Sequence, residues 1–140
     1  MTDRRLWTAI DKLLAWQHMR SAKQRASRCY EAVATCCRAA GLQMPHAALA
    51  IQAGHILVQD PARYGWVSLG TTAAALPTDG QPCLVFFDRC GYLKDGRMAG
   101  HVAIYKSNNN RHIANETREM NVWWRARVRY AFRPRTSPSD

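Results

Sequence analysis

The order of apolar patterns along the chain predicts an α+β fold in which helices come first and an antiparallel sheet follows. Three observations carry this reading. Apolar residues recur at helical spacing in the first part of the chain, and short runs rich in β-branched and aromatic residues replace them from Cys83 onward. The segments between those runs carry the turn chemistry of hairpins. With 140 residues, 47% of them hydrophobic and 21% charged, the chain is one domain's length and can bury a core without disulfides or metal.

The elements follow in order. Leu6, Ile10, Leu13, Leu14 and Met19 share helical spacing, with Asp11, Lys12, Arg20 and Lys23 between them, so an amphipathic first helix is expected from Leu6 to about Ala26. Ser27 is the expected N-cap of a second helix over 28–40, ended by Gly41 and burying Tyr30, Val33, Cys37 and Ala40. A third helix is expected over 46–58, after Pro45, and residues 61–82 read as a loop. CLVFF (83–87) and HVAIYK (101–106) are strand patterns. Ser107 to Asn110 is a turn, and RHIANE resumes as the partner strand of a hairpin. From Val122 to Phe132 the alternation is strict, which predicts a last strand with Arg125, Arg127 and Arg129 on its outer side. The domain is expected to span 1–133, with 134–140 a flexible tail.

Composition narrows the function classes. No stretch approaches the roughly 20 apolar residues that span a bilayer, and the N-terminal LWTAI is interrupted by Asp11 and Lys12 before a signal-peptide core forms. Synthesis in the cytoplasm without a signal peptide is therefore expected. Five cysteines are an odd number, which favours reduced thiols over a closed disulfide framework. They contain no CxxC, and the adjacent Cys36 and Cys37 are poor chelators, so a metal site is not expected; chemistry carried by a thiol would need no cofactor. The formal charge of +10 attracts polyanions in general: nucleic acid, anionic lipid or an acidic wall polymer.

The stretch RCYEAVATCCRAAG raises the question of chemistry. Cys29 falls in the first turn of the second helix, where free N–H groups and the helix dipole favour a thiolate. Cys36 and Cys37 lie about two turns further along and read as packing residues. His101 opens a strand directly after Gly100 and is the candidate base. The group that orients its imidazole depends on the hairpin register. A three-residue loop places Asn115 opposite His101, whereas a loop one residue longer places Glu116 there and His112 on the same face. Asn115 is favoured, then Glu116, then His112. Gln24 is the candidate oxyanion donor, with the backbone N–H of Cys29 as its companion. Arg28, Trp123 and Trp124 are candidates for holding substrate. Taken singly, each of these residues has an ordinary packing or surface role. Their conjunction is what points to a thiol enzyme.

SRCYEAVATCCRAAGL resembles the nucleophile helix of the papain-like cell-wall hydrolases, the NlpC-type endopeptidases and the CHAP amidases. TDGQPCLVFF followed by GHVAIY is similar to their next block, a turn, an apolar strand, then a glycine and the catalytic His. HIANE is similar to the strand bearing their third polar residue. The resemblance covers about residues 27–116 and departs from the pattern at Arg28 and at Gly80-Gln81-Pro82-Cys83. It implies a papain-like fold with N-terminal helices on a small antiparallel sheet, Cys29 as nucleophile, His101 as base, Asn115 or Glu116 as orienting group, and amide bonds of peptidoglycan as substrate. It also implies action in the periplasm or cell wall, reached through separate delivery machinery such as a phage or contact-dependent system, with an immunity protein as a further partner. Two other readings stand beside it. One is a basic nucleic-acid-binding module with the arginine strand as its phosphate-contacting surface. The other is a protease or deamidase of the same fold acting on a protein.

Overall fold

The computed structural model describes residues 3–136. It is an α+β fold: helices cover a six-stranded antiparallel sheet in the order β1-β6-β2-β3-β4-β5. Helix α1 (Arg5–His18) buries Leu6, Ala9, Ile10, Leu13 and Trp16. It does not continue to Ala26. Ser21 starts a separate turn, α2 (Ala22–Arg25), through a capping box in which the Ser21 hydroxyl accepts from the Gln24 N–H and the Gln24 side chain accepts from the Ser21 N–H. The sequence S-A-K-Q is the pattern such a box requires.

Helix α3 (Cys29–Ala39) packs on α1 and on β3 and buries Tyr30, Ala32, Val33, Ala34, Cys36 and Cys37. Its N-cap is Arg28 and not Ser27, which takes a left-handed φ of 60° and caps nothing. Ala40 is only half-buried. Gly41, at φ 89°, ends the helix as expected. Helix α4 (Ala50–Gln59) starts later than the sequence suggests, and its Ile51 N–H donates to the Ala99 carbonyl at 2.8 Å. That bond ties the helix start to the chain entering β3. Gly54 lets α4 lie flat on the sheet, since a Cβ there would meet Phe86 and Tyr130 at 3.0 Å.

The sheet holds two strands that the turn-rich sequence concealed, β1 (Trp66–Gly70) and β5 (Thr117–Glu119). Between them in the chain lie β2 (Cys83–Phe87), β3 (His101–Lys106) and β4 (Arg111–Ile113). Every residue of β2 is buried, which explains an apolar run with no alternation. The last strand, β6 (Val128–Pro134), is inserted between β1 and β2.

The expected strand from Val122 is corrected over its first half. Val122–Arg125 form a helical turn, α5, because the Asn121 side chain accepts from the Trp124 N–H at 3.1 Å and opens a helix. Only Val128, Tyr130 and Phe132 keep the alternation. The neighbouring arginines are largely committed. Arg125 donates to Tyr105 Oη and Asn110 Oδ1, Arg127 to the carbonyls of Arg89 and Trp123, and Arg133 to Asp79. The expected flexible tail also begins too early: Pro134 pairs with Trp66, and the Arg135 N–H donates to the Gly65 carbonyl at 2.7 Å. Residues 137–140 of that tail lie outside the described residues. No helix among the described residues is long and apolar enough to cross a membrane.

Candidate active site

The start of α3 and the start of β3 meet at a cleft of about 400 Å³. Its walls also include the start of α4, the chain from Cys90 to Leu93, Asn115, Arg118 on β5, and Trp123 and Trp124 on α5. Cys29 and His101, 72 positions apart in sequence, both line it.

Glycines set the approach of β3. Gly100 has φ 71°, and a Cβ there would meet the Phe87 carbonyl oxygen at 2.8 Å and Ile51 Cβ at 3.0 Å. Gly91, at φ 66°, crosses it so closely that a Cβ would lie 2.5 Å from the Gly100 carbonyl oxygen. The Gly100 N–H donates to the Cys90 carbonyl and the Ala99 N–H to that of Gly91. Only glycine tolerates both the left-handed backbone and the contact. His101 thus emerges at a fixed height beside the first turn of α3.

Cys29 is half-buried. Burial pushes its thiol up from the ordinary value, while the backbone N–H groups of Val102, Tyr30 and Cys29 lie close enough to the sulfur to pull the other way without reversing the shift. The Val102 contact puts the sulfur against the residue next to His101. For His101, burial pushes the pKa down to about 3, with the neighbouring His112 and then the charge of Arg118 acting in the same direction. The resting pair is therefore a neutral thiol and a neutral imidazole.

The hairpin takes the longer of the two registers. Lys106 pairs with Arg111 and Tyr105 with His112, leaving a four-residue turn over 107–110. Extending that pairing would place Glu116 opposite His101, but β4 ends at Ile113 and the Ala114 N–H turns back to the Glu116 carbonyl. The register that favoured Asn115 is thereby corrected: Asn115 lines the cleft but is not opposite His101, and its Nδ2 donates to the Arg25 carbonyl at 2.9 Å. Glu116 pairs with Arg25 Nε at 3.1 Å. His112 shares the face of His101, their ring centroids being 5.9 Å apart. It is fully buried, and neither ring nitrogen has a hydrogen-bond partner. Burial and then Arg118 push its pKa down to about 4, while the main chain of Glu119 pulls the other way from outside hydrogen-bond geometry.

Trp124 roofs the two imidazoles, with centroids 5.0 Å from His101 and 4.7 Å from His112, and it also packs on Phe87 at 4.9 Å. Trp123 stands at the rim with Arg127 stacked over it at 3.6 Å. Arg28 lines the cleft, 3.6 Å from Glu31. Gln24 does not line it, because its side chain is committed to the capping box. Cys36, Cys37 and Cys83 are buried in the core, where burial pushes their thiols up, that of Cys83 to about 12. Sequence reasoning missed Cys90, Tyr92 and Arg118 as lining residues. For Arg118 the signal was the hairpin register, which carries the next strand onto the face of His112. No family model, curated protein or solved structure matches the chain.

Proposed function

We propose that the protein is a thiol hydrolase of papain-like type that cleaves amide bonds of peptidoglycan through an acyl-enzyme at Cys29. The observation carrying this is that Cys29, on a helix's first turn, and His101, on a strand's first residue, line one cleft with the Val102 N–H beside the sulfur. The residue order and motifs resembling the NlpC-type and CHAP enzymes supply the substrate class.

Because both groups rest neutral, His101 acts as a general base and not as half of a preformed ion pair. It takes the thiol proton as Sγ bonds to the amide carbon. The carbonyl electrons move onto oxygen, for which the Cys29 N–H at the helix start is the proposed donor. His101 then returns the proton to the leaving amine as the C–N bond breaks. Water, deprotonated by His101, hydrolyses the thioester and restores the thiol. The transient imidazolium needs an acceptor for its second N–H, and the reading gives that role to His112, whose ring centroid lies 5.9 Å from that of His101 and whose nitrogens have no hydrogen-bond partner. His112 replaces Asn115 as the proposed orienting residue on that ground.

The nucleic-acid-binding alternative draws no support from the arginines after Trp124, since most of them hydrogen-bond to groups of the protein itself. The test is incubation of wild type and Cys29→Ala with intact peptidoglycan, followed by mass spectrometry of the soluble fragments. New fragments from the wild type alone are expected, and their masses name the bond. No fragments from folded wild type would overturn the reading.

A further inference from the structure

Arg118 is the one residue of the cleft whose charge nothing in the fold explains. It pairs across β4 and β5 with His112, so the face of the sheet that carries His101 and His112 carries Arg118 next in line. It lines the cleft and is exposed. Among the described residues no carboxylate lies within ion-pairing distance of it. The nearby acids are directed elsewhere: Glu116 is held by Arg25, and Glu119 alternates to the opposite face, across from Arg111. The other cation of the cleft, Arg28, has Glu31 beside it. A guanidinium left unneutralised beside two imidazoles lowers the basicity of both, which opposes the proton transfer that the site is proposed to perform.

We infer that Arg118 is a specificity residue that receives a carboxylate of the substrate, so that the protein prefers peptides with a free carboxylate near the scissile amide over their neutral counterparts. This rests on the hydrolase reading. A guanidinium fork presents two parallel N–H donors to a carboxylate, and in a cleft walled by Trp124 that pair is less screened than on open surface. The bound carboxylate also neutralises the Arg118 charge, which adds to burial and His112 in lowering His101. Binding and base strength are thereby linked: the correct substrate makes its own base stronger. A neutral analogue of the same shape lacks both effects.

The experiment uses intact peptidoglycan with its stem-peptide carboxylates free and the same material after carbodiimide amidation, and follows kcat/KM for wild type and Arg118→Gln. Wild type is expected to lose at least tenfold on amidation. Arg118→Gln is expected to show that loss already on the free-carboxylate material and to lose no more than twofold further on amidation. Arg118 is exposed and unpaired, so the variant should melt with the wild type. Equal wild-type rates on the two materials, or a Gln variant that discriminates as wild type does, would overturn the inference and leave the hydrolase reading standing. Cleavage of neither material by folded wild type would overturn both.

Discussion

Under the proposed hydrolase reading, a thiol whose pKa is raised and an imidazole whose pKa is lowered work differently from a thiolate–imidazolium pair. The difference is measurable at Cys29. The fraction of thiolate at neutral pH is small and grows tenfold per unit up to a pKa above the ordinary 9.0. Alkylation of Cys29 by iodoacetamide, followed by peptide mass, should therefore climb about tenfold per pH unit from 6 to 8. A plateau at neutral pH would show instead that His101 stabilises a thiolate. His101 sets the other limb. With its pKa near 3 it stays neutral through the whole range in which the protein is handled, so no acid limb from this group is expected in kcat/KM above about pH 5. Gln24 makes the opposite point, as a residue that sequence order placed near the nucleophile and local geometry removed. Gln24→Ala should lower stability by about 0.5 kcal/mol through the lost capping box. Its turnover should match wild type within twofold, and a large loss of kcat would restore Gln24 to the oxyanion site.

Among the elements, legibility followed the strength of the local signal. CLVFF and HVAIYK were readable as strands because β-branched and aromatic residues crowd them and turn residues bound them. The start of α3 was placed within a residue, and with it Cys29, because Gly41 and the apolar spacing fix the helix from the far end. What failed were short elements governed by one capping bond. Val122, Trp124 and Ala126 read as alternation until Asn121 is recognised as the residue that turns the segment into a helix. Strand β1 hid in a turn-rich segment because it is a five-residue edge strand that ends on Gly70 and buries only Trp66, so its apolar residues show no alternation. The third site residue was illegible for another reason: one residue of loop length decides which face every later side chain takes. The glycines test the geometry of β3. Gly96→Ala places a Cβ in open space at φ 87° and should lower stability by about 1 kcal/mol of backbone strain. Gly100→Ala adds collisions with the Phe87 carbonyl and Ile51, and should exceed that by at least about 1 kcal/mol. Urea titrations of the two variants give the comparison, and equal losses would mean that β3 is free to shift. Asn121→Ala removes the cap of α5 and should lower stability by about 1 kcal/mol while loosening the Trp124 roof, read as a change in its fluorescence.

At the scale of the whole molecule, the two imidazoles make the fold acid-sensitive. Their folded values, about 3 for His101 and about 4 for His112, lie below the 6.5 of an unperturbed histidine. The unfolded chain therefore binds protons between pH 6.5 and those values that the folded chain excludes. Their contribution is whole above pH 6.5 and is lost as pH falls through that window, at no more than about 1.4 kcal/mol per unit for each ring. The urea midpoint should drop steadily from pH 6.5 to 4.5, and His112→Phe should flatten the drop. An unchanged slope in that variant would mean that His112 is not held neutral by burial.

The position of β6 has a consequence in time. Its seven residues are made after every other strand of the sheet, yet they lie between β1 and β2. Until they emerge from the ribosome, β1 has no partner in the sheet and one edge of β2 is bare. Pairing Trp66 with Pro134 joins residues 68 positions apart, a long-range closure that slows folding. Phe87, the floor on which His101 and Trp124 rest, sits on the strand that waits longest for its second neighbour. Growing chains thus carry both Cys29 and His101 before the sheet beneath them is complete, and under the proposed hydrolase reading a nascent copy should be chemically silent during its own synthesis.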